Sequence, residues 1–190
     1  MPASKRPTIR RIFVYACIVA VLVLARPVVW LYPVGAFLVV VGEVLRIWAC
    51  GHLRKNKDVI MSGPYAHVKN PLYLGTFLIM VGFSLCASNP NDTSRYVLFV
   101  GLPFFLAVFF VYYLPYKVRV EGDRLRRRFG DRWEEYDRNV PAFIPRLTAY
   151  QADPAPFSAT LVAENSEVPT ALWVLAGLAV VFLKFFLGFP

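Results

Sequence analysis

The chain has 190 residues, of which 57% are hydrophobic and 17% are charged, and its formal net charge is +9. This composition predicts an integral membrane protein and argues against the soluble enzyme classes, and the length predicts a single domain over residues 1–190. The charge does not indicate nucleic acid as a partner, because the basic residues lie between apolar segments. Cys17, Cys50 and Cys86 lie in or beside those segments without CxxC spacing, so no metal site is expected.

The apolar segments predict an all-α fold, a polytopic membrane bundle of about five transmembrane helices with a cytoplasmic amphipathic helical segment. The spans are expected at residues 12–25, 34–50, 71–88, 96–116 and 168–189. Residues 117–146, between the fourth and fifth spans, are charged and amphipathic. Residues 147–167 are rich in Ala, Pro, Ser and Thr, which predicts an exposed linker.

An apolar stripe runs through the charged segment 117–146. Its members recur at spacings of three and four and are Leu125, Phe129, Trp133 and Tyr136. Such a stripe predicts amphipathic helix. The segment is expected either to lie on the lipid headgroups or to fold as a lid over the cytoplasmic ends of the bundle.

The distribution of basic residues predicts the orientation in the membrane. Seventeen of the 21 Lys and Arg residues fall in the N-terminal segment, in the loop 51–69 or in the segment 117–146. Five spans would place these three basic segments on the same side of the membrane, and the positive-inside rule assigns that side to the cytoplasm. The N-terminus and any active site are therefore expected to be cytoplasmic. The sequence does not distinguish a bacterial cytoplasmic membrane from the endoplasmic reticulum.

Polar residues inside and beside the spans are the candidates for function. Glu43 and Arg46 lie at i,i+3 in the second span, where they form either a structural ion pair or the wall of a polar pocket. Before the third span, Asn70 and Pro71 are typical of an N-cap and a first helical position, so a helix N-terminus with free donors is expected. The side chains that accompany it are Tyr65, Lys69 and Tyr73. This arrangement predicts either an anion site or simply a helix start.

Two motifs resemble those of a known family. The stretch Gly63-Pro-Tyr-x-x-Val-Lys-Asn-Pro-Leu-Tyr73 resembles the Gly-Pro-Tyr-x-x-x-Arg-His/Asn-Pro-x-Tyr motif of the isoprenylcysteine carboxyl methyltransferases, which are related to the phospholipid methyltransferases. Glu121-x-x-x-Leu-x-x-x-Phe-Gly-x-x-Trp-x-x-Tyr136, with the closing Val-Pro-x-Phe-Ile-Pro145, resembles that family's second motif. Lys69 stands where the family has arginine, Asn70 where its eukaryotic members have histidine, and Gly122 where it has a second glutamate.

The resemblance implies S-adenosyl-L-methionine as the cofactor, bound at the cytoplasmic helix ends under the C-terminal amphipathic segment. It implies that the carboxylate of the cofactor lies at Lys69 and the helix N-terminus Asn70-Pro71, and that its ammonium lies at Glu121. It also implies that Arg46 or Lys69 orients the carboxylate of the acceptor. The remaining candidates for cofactor binding are His52, Gly63, Tyr65 and Tyr73.

The implied activity is methyl transfer to a lipophilic or prenylated acceptor that enters from the bilayer, with carboxyl O-methylation of an isoprenylcysteine-like substrate as the first expectation. Membrane lipids are the expected surroundings, and the sequence does not determine the oligomeric state. The alternatives are a phospholipid or amine N-methyltransferase, an NADPH-dependent reductase resembling the steroid 5α-reductases, and a non-catalytic lipid-binding protein.

Overall fold

The computed structural model describes residue 19 and residues 21–54, 58–150 and 155–188, which form helices and turns and contain no strand. The helices are α1 (Tyr32–His52), α2 (Pro71–Cys86), α3 (Val97–Phe129), α4 (Asp131–Asn139), α5 (Ala159–Glu164) and α6 (Glu167–Leu187). A short 3₁₀ turn, Gly63–Ala66, precedes α2. The predicted all-α class is confirmed.

Among the described residues, α1, α3 and α6 are long and apolar enough to cross a membrane, and α2 is a shorter apolar helix of 16 residues. A chain with three such helices is an integral membrane protein, and the polytopic helical bundle is confirmed. The predicted first span, residues 12–25, lies mostly outside the described residues, although residues 21–24 are helical.

Glycines let α1 and α2 pack with their backbones in contact. A Cβ atom at Gly82 would lie 2.6 Å from the carbonyl oxygen of Gly35, and one at Gly42 would lie 2.6 Å from that of Gly75. Hydrocarbon tails are as apolar as side chains, so membrane helices associate through close packing of this kind rather than through the hydrophobic effect. Among the described helices, α1 and α2 make the most extensive contact.

One helix, α3, replaces the two that were predicted. Residues 96–116 were expected to form a span and residues 117–146 to begin a separate segment, but the 33-residue α3 continues without a break to Phe129. At about 1.5 Å per residue it is roughly 50 Å long, so it reaches well beyond an apolar layer of about 30 Å. Two stretches of α3, Val97–Gly101 and Val108–Tyr113, have the wider π-helical geometry, and each ends two residues before a proline, Pro103 or Pro115. Proline has no N–H to donate, and a wider turn beside it accommodates the missing hydrogen bond.

The second half of the segment predicted as an exposed linker, residues 147–167, contains a short helix, and most of its residues are exposed. Residues 159–164 form α5, and Val162 is buried. The Asn165 amide donates to the carbonyls of Cys50 (3.1 Å) and Leu53 (2.9 Å) at the end of α1. The last carbonyls of a helix have no partner within it, so this side chain supplies donors that the helix lacks.

Arg46 pairs with α6 rather than with Glu43. Its guanidinium donates to both carboxylate oxygens of Glu167, at 2.7 and 2.8 Å, and to the Thr76 hydroxyl at 2.6 Å. Glu167 is 2% exposed, and both carboxylate oxygens of Glu43 are buried without a hydrogen-bond partner among the described residues. A bidentate Arg–carboxylate pair has fixed geometry, so it sets the position of α6 against α1 and α2.

Gly82→Ala is expected to destabilise the protein by about 1–3 kcal/mol, because the new methyl group overlaps the backbone of α1. Thermal unfolding of the protein in detergent micelles measures the loss. Gly101→Ala is the matched control, since its Cβ would meet nothing closer than the Tyr96 carbonyl oxygen at 3.7 Å. Equal melting temperatures for the two variants would contradict close α1–α2 packing.

Glu167→Gln is expected to destabilise the protein by about 3 kcal/mol, because the guanidinium of Arg46, whose side chain is 17% exposed, loses the carboxylate charge that it contacts. Thermal unfolding of the protein in detergent micelles measures this loss as well. Glu164→Gln, at an exposed position three residues earlier, removes the same charge and is expected to leave the melting temperature nearly unchanged. A small effect at residue 167 would show that the ion pair does not hold α6.

Candidate functional site

A cavity of about 390 Å³ lies where the stretch Gly63–Gly75 meets the end of α3 and the start of α4. Both motifs contribute to its wall, although about 50 residues separate them in the chain. Six of the predicted site residues line it: Tyr65, Lys69, Asn70, Pro71, Tyr73 and Glu121. Ligand pockets in proteins typically have volumes of about 300–1,000 Å³, so this cavity is large enough for a small molecule.

Glu121 is held in the cavity by Tyr73. The phenol of Tyr73, in the first turn of α2, donates a 2.6 Å hydrogen bond to a carboxylate oxygen of Glu121 on α3. A neutral donor orients a carboxylate without cancelling its charge. Glu121 therefore presents a positioned negative charge to the cavity.

Lys69 is already paired. Its ammonium contacts the carboxylate of Asp137 and donates to the carbonyl oxygen of Asp137 at 3.0 Å. The side chain of Lys69 is 11% exposed and that of Asp137 35% exposed. The ion pair joins the first motif to α4, so the positive charge of Lys69 is largely compensated within the protein.

Asn70 occupies the N-cap position of α2 with Pro71 next to it, as predicted, but its side chain does not cap the helix. The Asn70 amide donates instead to the carbonyl oxygen of Ala142 at 2.8 Å. This bond directs the side chain to the segment after α4 and leaves the first turn of α2 without a side-chain cap.

The first motif pairs with the chain that follows α4 through backbone hydrogen bonds. Lys69 N–H donates to the Pro141 carbonyl at 2.9 Å, Arg146 N–H to the His67 carbonyl at 3.0 Å and Tyr150 N–H to the Ala66 carbonyl at 2.9 Å. Together these bonds make the two motifs into one wall. The lid alternative for the amphipathic segment agrees with this arrangement.

Tyr136 is the side chain that completes this contact. It is 2% exposed, and its hydroxyl donates a 2.8 Å hydrogen bond to the Tyr65 carbonyl. Burial raises the pKa of Tyr136 above its ordinary value, and the negative charge of Asp137 raises it further. The phenol therefore stays protonated and remains a donor at neutral pH.

Three predicted site residues do not line the cavity: Arg46, His52 and Gly63. Arg46 is engaged by Glu167. His52 Nδ1 lies 3.0 Å from the Ser62 hydroxyl, and a Cβ atom at Gly63 would lie 2.5 Å from the His52 ring. Gly63 also has φ +57°, which favours glycine. His52 and Gly63 thus shape the turn that carries Tyr65.

Sequence reasoning did not identify several residues of the wall, among them Arg54, Arg124 and the segment 58–60. Residues 58–61 pack on α4, with Val59 and Met61 in one buried cluster with Trp133 and Tyr136. Asp137 was also missed, because a single acidic residue on a charged helix carries no distinguishing pattern. The apolar run Val59-Ile-Met61 inside a polar loop was the one signal that could have indicated a buried segment.

An aromatic cluster lies one turn farther along α2 from Tyr73. The Phe77 ring has its centroid 5.3 Å from those of Phe109 and Phe110 on α3 and 5.5 Å from that of Phe143. The Phe143 side chain comes from the closing part of the second motif, so this motif reaches both the cavity and the apolar region beside it.

Comparison with known proteins gives a family and several relatives. The model of the ergosterol biosynthesis ERG4/ERG24 family matches residues 47–148. Nickel-cobalt-cadmium resistance protein NccN of Alcaligenes xylosoxydans xylosoxydans is 29% identical over 125 residues, which cover 65% of this chain and 54% of that protein. Cobalt-zinc-cadmium resistance protein CzcN of Cupriavidus metallidurans is 28% identical over 162 residues, which cover 82% and 69%.

The protein-S-isoprenylcysteine O-methyltransferase of Homo sapiens is 26% identical over 140 residues, which cover 67% of this chain and 46% of the human protein. The chain thus spans about half the length of NccN and of the human enzyme. No solved structure matches it. The relation to the isoprenylcysteine methyltransferases that the two motifs indicated is confirmed. The region matched by the family model covers more than half of the 190 residues, and every residue of the cavity wall described above lies within it. The chain therefore belongs to the ergosterol biosynthesis ERG4/ERG24 family.

Proposed function

We propose that the protein is a membrane methyltransferase that uses S-adenosyl-L-methionine and acts on a lipophilic acceptor, with carboxyl O-methylation of an isoprenylcysteine-like substrate as the first candidate reaction. The observation that carries the proposal is the cavity shared by the two motifs, with Glu121 held in it by Tyr73 at 2.6 Å. The relatives named protein-S-isoprenylcysteine O-methyltransferase support the same reaction class.

The residues of the cavity suit the chemical groups of this cofactor. Its amino-acid part carries an ammonium and a carboxylate, and the wall contains side chains of both signs, with Glu121 available for the ammonium. Its adenosine part needs apolar and aromatic surface, which Leu125, Trp133 and Tyr136 provide. The fit therefore rests on the donor set of the cavity and on its volume.

When bound, the cofactor supplies an electrophilic methyl group, and the transfer is an in-line displacement that needs little acid–base assistance. The chain contributes position and exclusion of water, which together lower the barrier to such a reaction. In the proposal, Glu121 orients the amino-acid end, and α4 covers the cavity through the Lys69–Asp137 ion pair. For Lys69 to bind the cofactor carboxylate, as the resemblance implies, this ion pair has to open.

The acceptor would reach the cavity from the bilayer, along the aromatic cluster around Phe77. Tyr113 packs edge-to-face on Tyr73 at 5.7 Å, so apolar surface continues from the cluster to the side chain that holds Glu121. A lipophilic chain would lie against the rings with its polar end towards the cavity.

The role of Arg46 in orienting an acceptor carboxylate would require its bond to Glu167 to rearrange. By the positive-inside argument, the cavity faces the cytoplasm.

The second candidate is an NADPH-dependent reductase, which the match with an ergosterol biosynthesis family favours. N-methylation of an aminophospholipid and a non-catalytic lipid-binding role remain the further alternatives. The cofactor separates these functions more sharply than the acceptor, because the candidate cofactors differ in charge and in size.

S-adenosyl-L-homocysteine is expected to stabilise the purified protein by about 2.7 kcal/mol at 100 times its Kd, because a ligand that binds the folded state shifts the unfolding equilibrium. Thermal unfolding in detergent with this ligand, with NADPH and without ligand measures the shift. Stabilisation by NADPH alone would contradict the methyltransferase and support the reductase. Radiolabelled methyl transfer to lipophilic thioether acids and to aminophospholipids then identifies the acceptor class.

Glu121→Gln is expected to weaken S-adenosyl-L-homocysteine binding by about tenfold or more, because a charge-assisted contact is lost. Tyr73→Phe, which keeps the charge and removes the donor that orients it, is expected to weaken binding by about two- to tenfold. Isothermal titration provides both values. Glu134→Gln, on the exposed side of α4 outside the cavity wall, is the matched control. Unchanged affinity in the Glu121 variant would remove Glu121 from the site.

A further inference from the structure

The charged side chains of the cavity wall are not equivalent. Among the residues that the structure describes, three cations and three anions line it: Arg54, Lys69, Arg124, Asp58, Glu121 and Asp137. Lys69 and Asp137 neutralise each other. Asp58 pairs at 2.9 Å with Arg132, which lies outside the wall, and also accepts from the N–H of Val59. Among the charges of the wall, these pairs leave Glu121, Arg54 and Arg124 to meet a ligand.

Glu121 and Arg124 lie on one face of α3. Residues at i and i+3 of a helix are neighbours, with Cβ atoms about 5–6 Å apart. Both side chains line the cavity wall, and Glu121 accepts a hydrogen bond from the Tyr73 hydroxyl. Arg124 is exposed, and the N–H donors along an edge of its planar guanidinium match the two oxygens of a carboxylate.

An α-amino acid carries its ammonium and its carboxylate on the same carbon atom. An anion and a cation side by side suit such a group, and Glu121 with Arg124 provides both on a single helical turn. Arg54 belongs to a different segment, after the end of α1, and Lys69 is occupied by the side chain and the carbonyl oxygen of Asp137.

We propose that Arg124 binds the carboxylate of the amino-acid part of the cofactor while Glu121 binds its ammonium, and that Lys69 remains on Asp137 and holds α4 over the cavity. This inference rests on the proposed function. It also accounts for lysine at position 69. The ammonium of Lys69 contacts both the carbonyl oxygen and a carboxylate oxygen of Asp137, and an ammonium can do so without the planar geometry that the guanidinium of an arginine requires. The carboxylate-binding role implied for Lys69 by the resemblance then passes to Arg124.

The test compares two probes, S-adenosyl-L-homocysteine and its decarboxylated analogue, which keeps the ammonium and lacks the carboxylate. The wild-type protein is expected to bind the first about tenfold or more tightly than the second, as for one charge-assisted contact. Arg124→Ala is expected to lose this preference, with unchanged affinity for the decarboxylated analogue. Arg124→Lys is expected to restore part of it.

Arg119→Ala is the matched control, because Arg119 is exposed on α3 and lies outside the cavity wall. It is expected to keep the full preference. Loss of the preference in Arg54→Ala or in Lys69→Ala, with the preference retained in Arg124→Ala, would overturn the inference and leave the methyltransferase function in place. Equal binding of the two probes by the wild-type protein would also overturn the inference and leave the methyltransferase function in place. Binding of neither probe would reject the proposed function, and the inference with it.

Discussion

Backbone groups at the membrane surface need partners, and the hydrogen bonds between the first motif and the chain after α4 satisfy this need. The carbonyls of Ala66 and His67 and the N–H of Lys69 are paired with residues about 70 to 85 positions later in the chain. A loop that leaves a membrane helix and returns to the next one cannot bury these groups unpaired without a cost of several kcal/mol each. This pairing holds the loop beside the segment that follows α4, and the cavity lies between the loop, α3 and α4.

The same constraint explains why the two motifs occur together. Tyr136 donates to the Tyr65 carbonyl, Asn70 donates to the Ala142 carbonyl, and Lys69 contacts Asp137. Each motif supplies polar partners that the other lacks, so neither half forms the wall alone. The long α3 makes the contact possible, because it carries Glu121 beyond the apolar layer and up to the first turn of α2.

A second set of contacts holds the C-terminal part in place. The Arg46–Glu167 ion pair and the Asn165 amide connect α6 and the turn before it to the end of α1. Phe157 lies with its ring centroid 6.2 Å from that of His52, and His52 contacts Ser62 beside the glycine of the first motif. The segment that looked like a linker is therefore part of the support behind the turn that carries Tyr65.

From the sequence alone we could predict the membrane class, the helical fold and six of the residues that line the cavity. These follow from local patterns: long apolar runs, a helix start at Asn70-Pro71, and two motifs with fixed spacing. It did not determine which charges meet. The i,i+3 spacing of Glu43 and Arg46 indicated either an ion pair or the wall of a polar pocket, whereas Arg46 bonds to Glu167, 121 residues later. Similarly, the partner of Lys69 is Asp137, on a helix where nothing local distinguishes it. Only the tertiary structure decides such pairings, because the free energy of a charge in a poorly solvated place depends on the groups that the fold brings to it.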